Sequence, residues 1–141
     1  MSTRVSSEGF TLLEVLFVCV LAGIAIGMAA PRIRATADSL AVDAAARELM
    51  SAFAGARLIA LRERGSEVRV DSAGIRVIVR GRVVVERDVA TTHKVRVRTT
   101  LSATRYTATG ITAGLSNGSI YVSRGSIADT ITVSRLGRVR R

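Results

Sequence analysis

Two places in this chain of 141 residues bring together residue types that can do chemistry. The first is Glu14, a lone carboxylate four residues into the apolar run 10–30, which follows a short polar leader ending at Gly9. An unpaired acid at the centre of a membrane helix costs roughly 2.5–3.5 kcal/mol, less near the helix end, so such a charge points to a cationic partner and a function. The second is Gly137-Arg138-Val139-Arg140, with Arg141 beyond it. Alternation along an extended chain puts Arg138 and Arg140 on one side, flanking Val139. Two guanidinium forks at that spacing can straddle backbone phosphates.

Elsewhere the inventory argues against catalysis. His93 is the sole histidine and stands beside Lys94; Cys19 is the sole cysteine and lies in the apolar run. No Ser/His/Asp, Cys/His or paired-carboxylate arrangement is legible, and no cluster has metal-ligand spacing. The expectation is therefore no enzyme, no metal and no cofactor. A single cysteine also rules out an intrachain disulfide.

The elements that must position these residues are readable from periodicity. The run 10–30 has 21 residues. At about 1.5 Å per residue it is about 31 Å long as a helix, enough to cross a bilayer core. Pro31 interrupts the pattern, yet helical spacing resumes: Leu49, Phe53, Ala56 and Ala60 fall at i, i+4, i+7 and i+11, widened by Val42, Ala45, Ala46 and Met50. One helix over about 10–64 is predicted, with Gly65 as its C-cap after Arg62-Glu63-Arg64. Beyond Gly65 the period switches to two. Val68 and Val70, then Ile75, Val77 and Val79, then Val83 to Val85, Val95 and Val97 predict short strands separated by turns at Ser72-Ala73-Gly74 and Arg80-Gly81-Arg82. Further strands are expected at Tyr106 to Thr109, Ile120-Tyr121-Val122 and Ile131-Thr132-Val133. A helix followed only by strands is α+β, an antiparallel meander with the amphipathic half of the helix laid on it. The chain divides into a leader (1–9), a membrane half of the helix (10–30), an amphipathic half (31–64) and an antiparallel β domain (65–141).

Charge adds a bound. Twenty of the 21 basic side chains are arginine, the exception being Lys94. Residues 31–141 carry 20 basic and 9 acidic groups, a net of +11. A domain this basic attracts polyanions, whether nucleic acid, anionic lipid or an acidic protein.

Gly9-Phe10-Thr11-Leu12-Leu13-Glu14 and the apolar run after it resemble the type III signal of type IV pilins and pilin-like proteins. The resemblance implies cleavage after Gly9 by a prepilin peptidase and methylation of the new N-terminus at Phe10. It also implies pairing of Glu14 with a neighbouring subunit's N-terminal amine during assembly. Two other readings of the same stretch stay open: a secretory signal cut near Met28-Ala29-Ala30, and an ordinary single-span anchor. Arg4 and Glu8 before the span, with Arg32 and Arg34 after it, weigh against a cytoplasmic N-terminus by positive-inside counting.

The glycine-spaced segment with Gly110, Gly114 and Gly118, the two strands after it and the Gly-Arg ending are similar to the GspH/FimT family of minor pilins and pseudopilins. That implies a single-pass protein of the bacterial inner membrane with a periplasmic C-terminal domain. It would be built into a type II secretion pseudopilus or a type IV pilus, with other pilins or pseudopilins as partners. Some members involved in natural transformation bind DNA through a C-terminal Gly-Arg-x-Arg motif. By that resemblance the alternative function is DNA uptake through Arg138, Arg140 and Arg141.

Overall fold

The computed structural model describes residues 11–101, 103–114 and 117–141. Helix α1 covers Leu12–Glu63, followed by strands β1 (Gly65–Val70), β2 (Ile75–Val79) and β3 (Arg82–Arg87) and a one-turn helix α2 (Val89–His93). Then come β4 (Arg96–Thr99), β5 (Thr104–Thr107), β6 (Thr112–Ala113), β7 (Gly118–Arg124), β8 (Ile127–Val133) and β9 (Val139–Arg140). The chain falls into two compact units, Met1–Arg34 and Ala35–Arg141.

Thr11 opens α1. Its hydroxyl and its carbonyl both accept from the Glu14 N–H, at 3.3 and 3.1 Å, which satisfies one of the orphan donors of the first turn. Pro31 lies inside the helix and does not end it. Residues 12–28 are exposed throughout, and the segment is long and apolar enough to cross a membrane. A helix suits that role because every interior backbone group is paired within the segment.

In the second unit the predicted stripe is the core. Val42, Ala45, Ala46, Leu49, Ala52, Phe53, Ala56 and Ala60 are buried. Among these, Leu49 and Phe53 are the largest buried side chains of the helix. Truncating either large side chain to alanine costs about 2–5 kcal/mol. The core is completed from the strands by Val68, Ile75, Val77, Ile120, Val122, Ile131 and Val133. The expected C-cap is displaced by one residue. Arg64 takes the left-handed conformation (φ 61°), while Gly65 begins β1 at φ 140°. That φ favours glycine, and a Cβ there would also stand 3.3 Å from the Tyr106 carbonyl oxygen, a tight contact.

The α+β class is as predicted, but a single meander is not what forms. The strands make two antiparallel sheets, one in the order β3-β2-β1-β5-β6 and one in the order β4-β7-β8-β9. Sequential pairing holds for β1-β2-β3 and for β7-β8-β9, and fails in between. β4 pairs with β7, Arg98 opposite Tyr121, while β5 returns to β1, Tyr106 opposite Ser66. The cause is α2, a turn that alternation could not reveal. Asp88 caps it by accepting from the Thr91 N–H at 2.9 Å, Lys94 ends it in the left-handed region, and the buried Val89 anchors it.

Candidate functional site

Of the sequence-predicted N-terminal site, Gly9 and Phe10 lie outside the described residues. Glu14 sits in the first turn of α1, exposed, three residues after Thr11. Negative charge at this end is favoured by the helix dipole, and by any cationic group presented to it from outside.

The C-terminal site is built by a tight hairpin. β8 leaves the sheet at Val133, and Ser134 to Gly137 turn the chain. The Ser134 N–H donates to the Arg138 carbonyl and the Gly137 N–H to the Ser134 carbonyl, both at 2.9 Å, while the Ser134 hydroxyl accepts from the Arg138 N–H at 3.2 Å. β9 then pairs back on β8, Val139 opposite Val133 and Arg140 opposite Thr132. Val139 packs against the core, and Arg138 and Arg140 are exposed on either side of it.

Gly137 is fixed by geometry. Its φ is +72°, and a Cβ there would stand 2.8 Å from a Tyr106 ring carbon and 2.7 Å from the Thr112 methyl. Thr112 also donates its hydroxyl to the Arg135 carbonyl, which ties the same turn to β6. Tyr106 is buried, and burial pushes its hydroxyl above its ordinary value, so it stays a protonated donor.

The structure brings one residue to this site that motif reading missed. Arg57 of α1 borders a groove together with Arg138, over an apolar floor formed by Met50, Phe53, Leu58, Leu61 and Tyr106. The groove holds about 630 Å³. Arg57 and Arg138 also border a neighbouring depression with Arg140. Gly110 helps seat Arg57: at φ +72° its bare Cα passes so close that a Cβ would lie 3.2 Å from the guanidinium Nε. Arg57 follows Phe53 by four residues and so shares its side of the helix, which is the only signal the sequence offered. Three arginines thus border one depression where Arg138, Arg140 and Arg141 were expected to act together, an arrangement suited to anionic oxygens.

Arg141 is placed differently. It bridges Asp43 of α1 and Asp129 of β8, and these carboxylates raise its affinity for its proton still further. The last residue therefore ties the C-terminus to the helix instead of extending the arginine pair. Other bridges brace the same unit: Arg124 to Asp38 at 2.8 Å, and His93 and Arg87 to Glu48 at 2.7 and 3.4 Å. His93, considered only as an isolated residue, is thus a link between α2 and α1. Among the described residues no group of histidine, cysteine or carboxylate side chains is arranged to hold a metal.

Comparison with known proteins adds two findings. Residues 4–30 match the family model for the prokaryotic N-terminal methylation motif. The fold is similar to the crystal structure of the type IV minor pilin FimU of Pseudomonas aeruginosa, with a TM-score of 0.57 and 15% identity, over 70% of this chain and 86% of that one. A second crystal form of FimU aligns with a TM-score of 0.54 and 16% identity, over 70% of this chain and 90% of that one. No curated protein matches the sequence. The chain thus carries a prepilin-type methylation motif at its N-terminus and a pilin-like α+β fold.

Proposed function

We propose that this chain is a minor pilin-like structural subunit of the GspH/FimT kind, and not an enzyme. In this reading a prepilin peptidase cuts after Gly9 and the new terminus at Phe10 is methylated. Residues 10–30 hold the protein in the bacterial inner membrane, with the C-terminal domain in the periplasm. The subunit then joins other pilins in a type IV pilus or a type II secretion pseudopilus, and Glu14 pairs with a neighbour's N-terminal amine. The observation that carries the reading is the position of the methylation motif. It covers residues 4–30, across the start of α1 at Leu12, in a chain whose fold is that of a minor pilin. The likeness to FimU favours the type IV pilus over the secretion pseudopilus. The test is the intact mass of protein extracted from membranes. A methylated chain beginning at Phe10 is expected; a chain beginning near Pro31 would indicate an ordinary secretory signal.

A second reading is DNA uptake, with this subunit as receptor. What favours it is the convergence of Arg57, Arg138 and Arg140, none of which has an acidic partner among the described ion pairs, on one side of a domain of net charge +11. Tyr106 is buried and offers no face on which a base can stack, whereas Tyr121, 45% exposed on the sheet that carries Arg140, does, beside the contacts the arginines offer to the phosphate backbone.

A further inference from the structure

β3 is the outer strand of the five-stranded sheet, and one side of its backbone faces no other strand. Proteins normally blunt such an edge with short length, charge or a bulge that twists it away. The other sheet edges here follow that rule: β6 and β9 have two residues each, and β4 has four, with Arg96 and Arg98 exposed. β3 has six residues; a register shift opposite Val77 and Ile78 leaves Val84 without a partner on β2, and Val83 and Val84 are each 51% exposed at its middle. Among the described strands it alone pairs length with an apolar edge.

A groove runs beside it, floored by Ile59, Val79, Val84 and Val85. Its border is basic, with Arg62, Arg80 and Arg82 against the single carboxylate Glu63, which Arg80 contacts at 3.4 Å. At the other end of the strand Glu86 is exposed and lies opposite Arg76, and Arg87 is paired with Glu48. Positive charge is therefore concentrated at the Arg82 end. Charge also selects the occupant. A second copy would bring another domain of net charge +11 against this border, whereas a segment with carboxylates at one end would be complementary.

We propose that β3 is a strand-addition site for an extended segment of an acidic partner protein. The segment pairs with the open backbone of β3, lays apolar side chains on Val83 and Val84, and sets its carboxylates against Arg62, Arg80 and Arg82. The inference does not depend on filament assembly, because a peptide reads the edge directly.

The test uses the full chain in detergent micelles at physiological salt, with a fluorescein-labelled peptide of two glutamates followed by alternating valine and threonine. A second peptide has lysines in place of the glutamates. Anisotropy should show the acidic peptide binding, and the lysine peptide binding about tenfold more weakly or not at all. Hydrogen exchange should slow at the β3 amides on binding. Arg80→Glu with Arg82→Glu should weaken binding about tenfold, and Val84→Lys should weaken it without touching the arginines, whereas Arg96→Glu with Arg98→Glu should change it less than about twofold. Equal losses in both double variants would reduce the effect to diffuse charge and overturn the proposal. So would an absence of binding, or binding that leaves the β3 amides unprotected. Self-association that protects β3 without peptide would assign the edge to a second copy and overturn the acidic partner.

Discussion

The hydroxyl of Tyr106 donates to the carbonyl of Gly137 at 3.4 Å, linking β5 of the five-stranded sheet to the turn that launches the last strand of the other. The ring lies where a side chain on residue 137 would be, and the backbone there is left-handed. The glycine of Gly137-Arg138-Val139-Arg140 is thus a packing residue, and the direction in which Arg138 leaves the turn depends on it.

Gly137→Ala should therefore be costly. It adds a methyl that collides with Tyr106 and Thr112 at a φ that disfavours alanine, for a loss of about 2–4 kcal/mol. Tyr106→Phe keeps the ring and removes one hydrogen bond, for about 1 kcal/mol. Denaturant unfolding of both variants followed by circular dichroism checks the ranking. An alanine variant as stable as the parent would show that the turn repacks freely and that the glycine has no structural role.

Acid should loosen the β1–β5 pairing at one identifiable group. Arg69 and Arg105 hold the Glu67 carboxyl below its ordinary value, first by hydrogen bonds at 2.5 and 3.0 Å and then by charge. A depressed folded-state value means that the stabilisation is complete above the unfolded value near 4.5 and is lost as pH falls through the lower, folded one. Urea midpoints measured across this range should fall with acid in the parent and fall less in Glu67→Gln. Parallel curves would mean that Glu67 carries none of the acid dependence.

Most of the fold was legible because two periods are sharp. The stripe at Leu49, Phe53, Ala56 and Ala60 and the alternation at Val68, Val70, Ile75, Val77 and Val79 both point inward as predicted. What was not legible depended on contacts distant in sequence. Nothing in Arg96-Val97-Arg98 says that its partner is β7 and not β3, and α2 is a single turn held by a cap at Asp88. The same divide runs through the site. The arginine pair was visible as a motif, but Arg57 joins it from 81 positions away, and Arg141 leaves it for Asp43 and Asp129.

Glu14 is expected to act in assembly and not in processing. It is the only carboxylate in the run 10–30, and α1 needs no acid there, since Thr11 already caps the first turn. Glu14→Val should leave insertion and cleavage intact and abolish co-purification with partner pilins. A Val variant recovered with its partners at parental yield would remove the pairing from the assembly scheme.

The last prediction separates DNA reception from diffuse charge. A domain of net charge +11 should bind duplex DNA at low salt whatever its role, because counterion release requires only charge. Arg76 and Arg80 make poor controls, since Asp71 and Glu63 already engage them. Arg96 and Arg98 are better: both are exposed on β4, and neither forms an ion pair among the described residues. If the subunit receives DNA, Arg138→Ala with Arg140→Ala should lower affinity far more than Arg96→Ala with Arg98→Ala. Losing two phosphate contacts should also flatten the log–log salt slope by about two. Arg57→Ala should act in the same direction by about one. Arg141→Ala should behave oppositely, since its work is to hold Asp43 and Asp129. It should cost roughly 1 kcal/mol of stability, with little change in affinity beyond the loss of one charge. Anisotropy titrations at several salt concentrations, paired with thermal melts, read both quantities. Equal losses in the two double variants would leave only nonspecific attraction and favour the purely structural subunit.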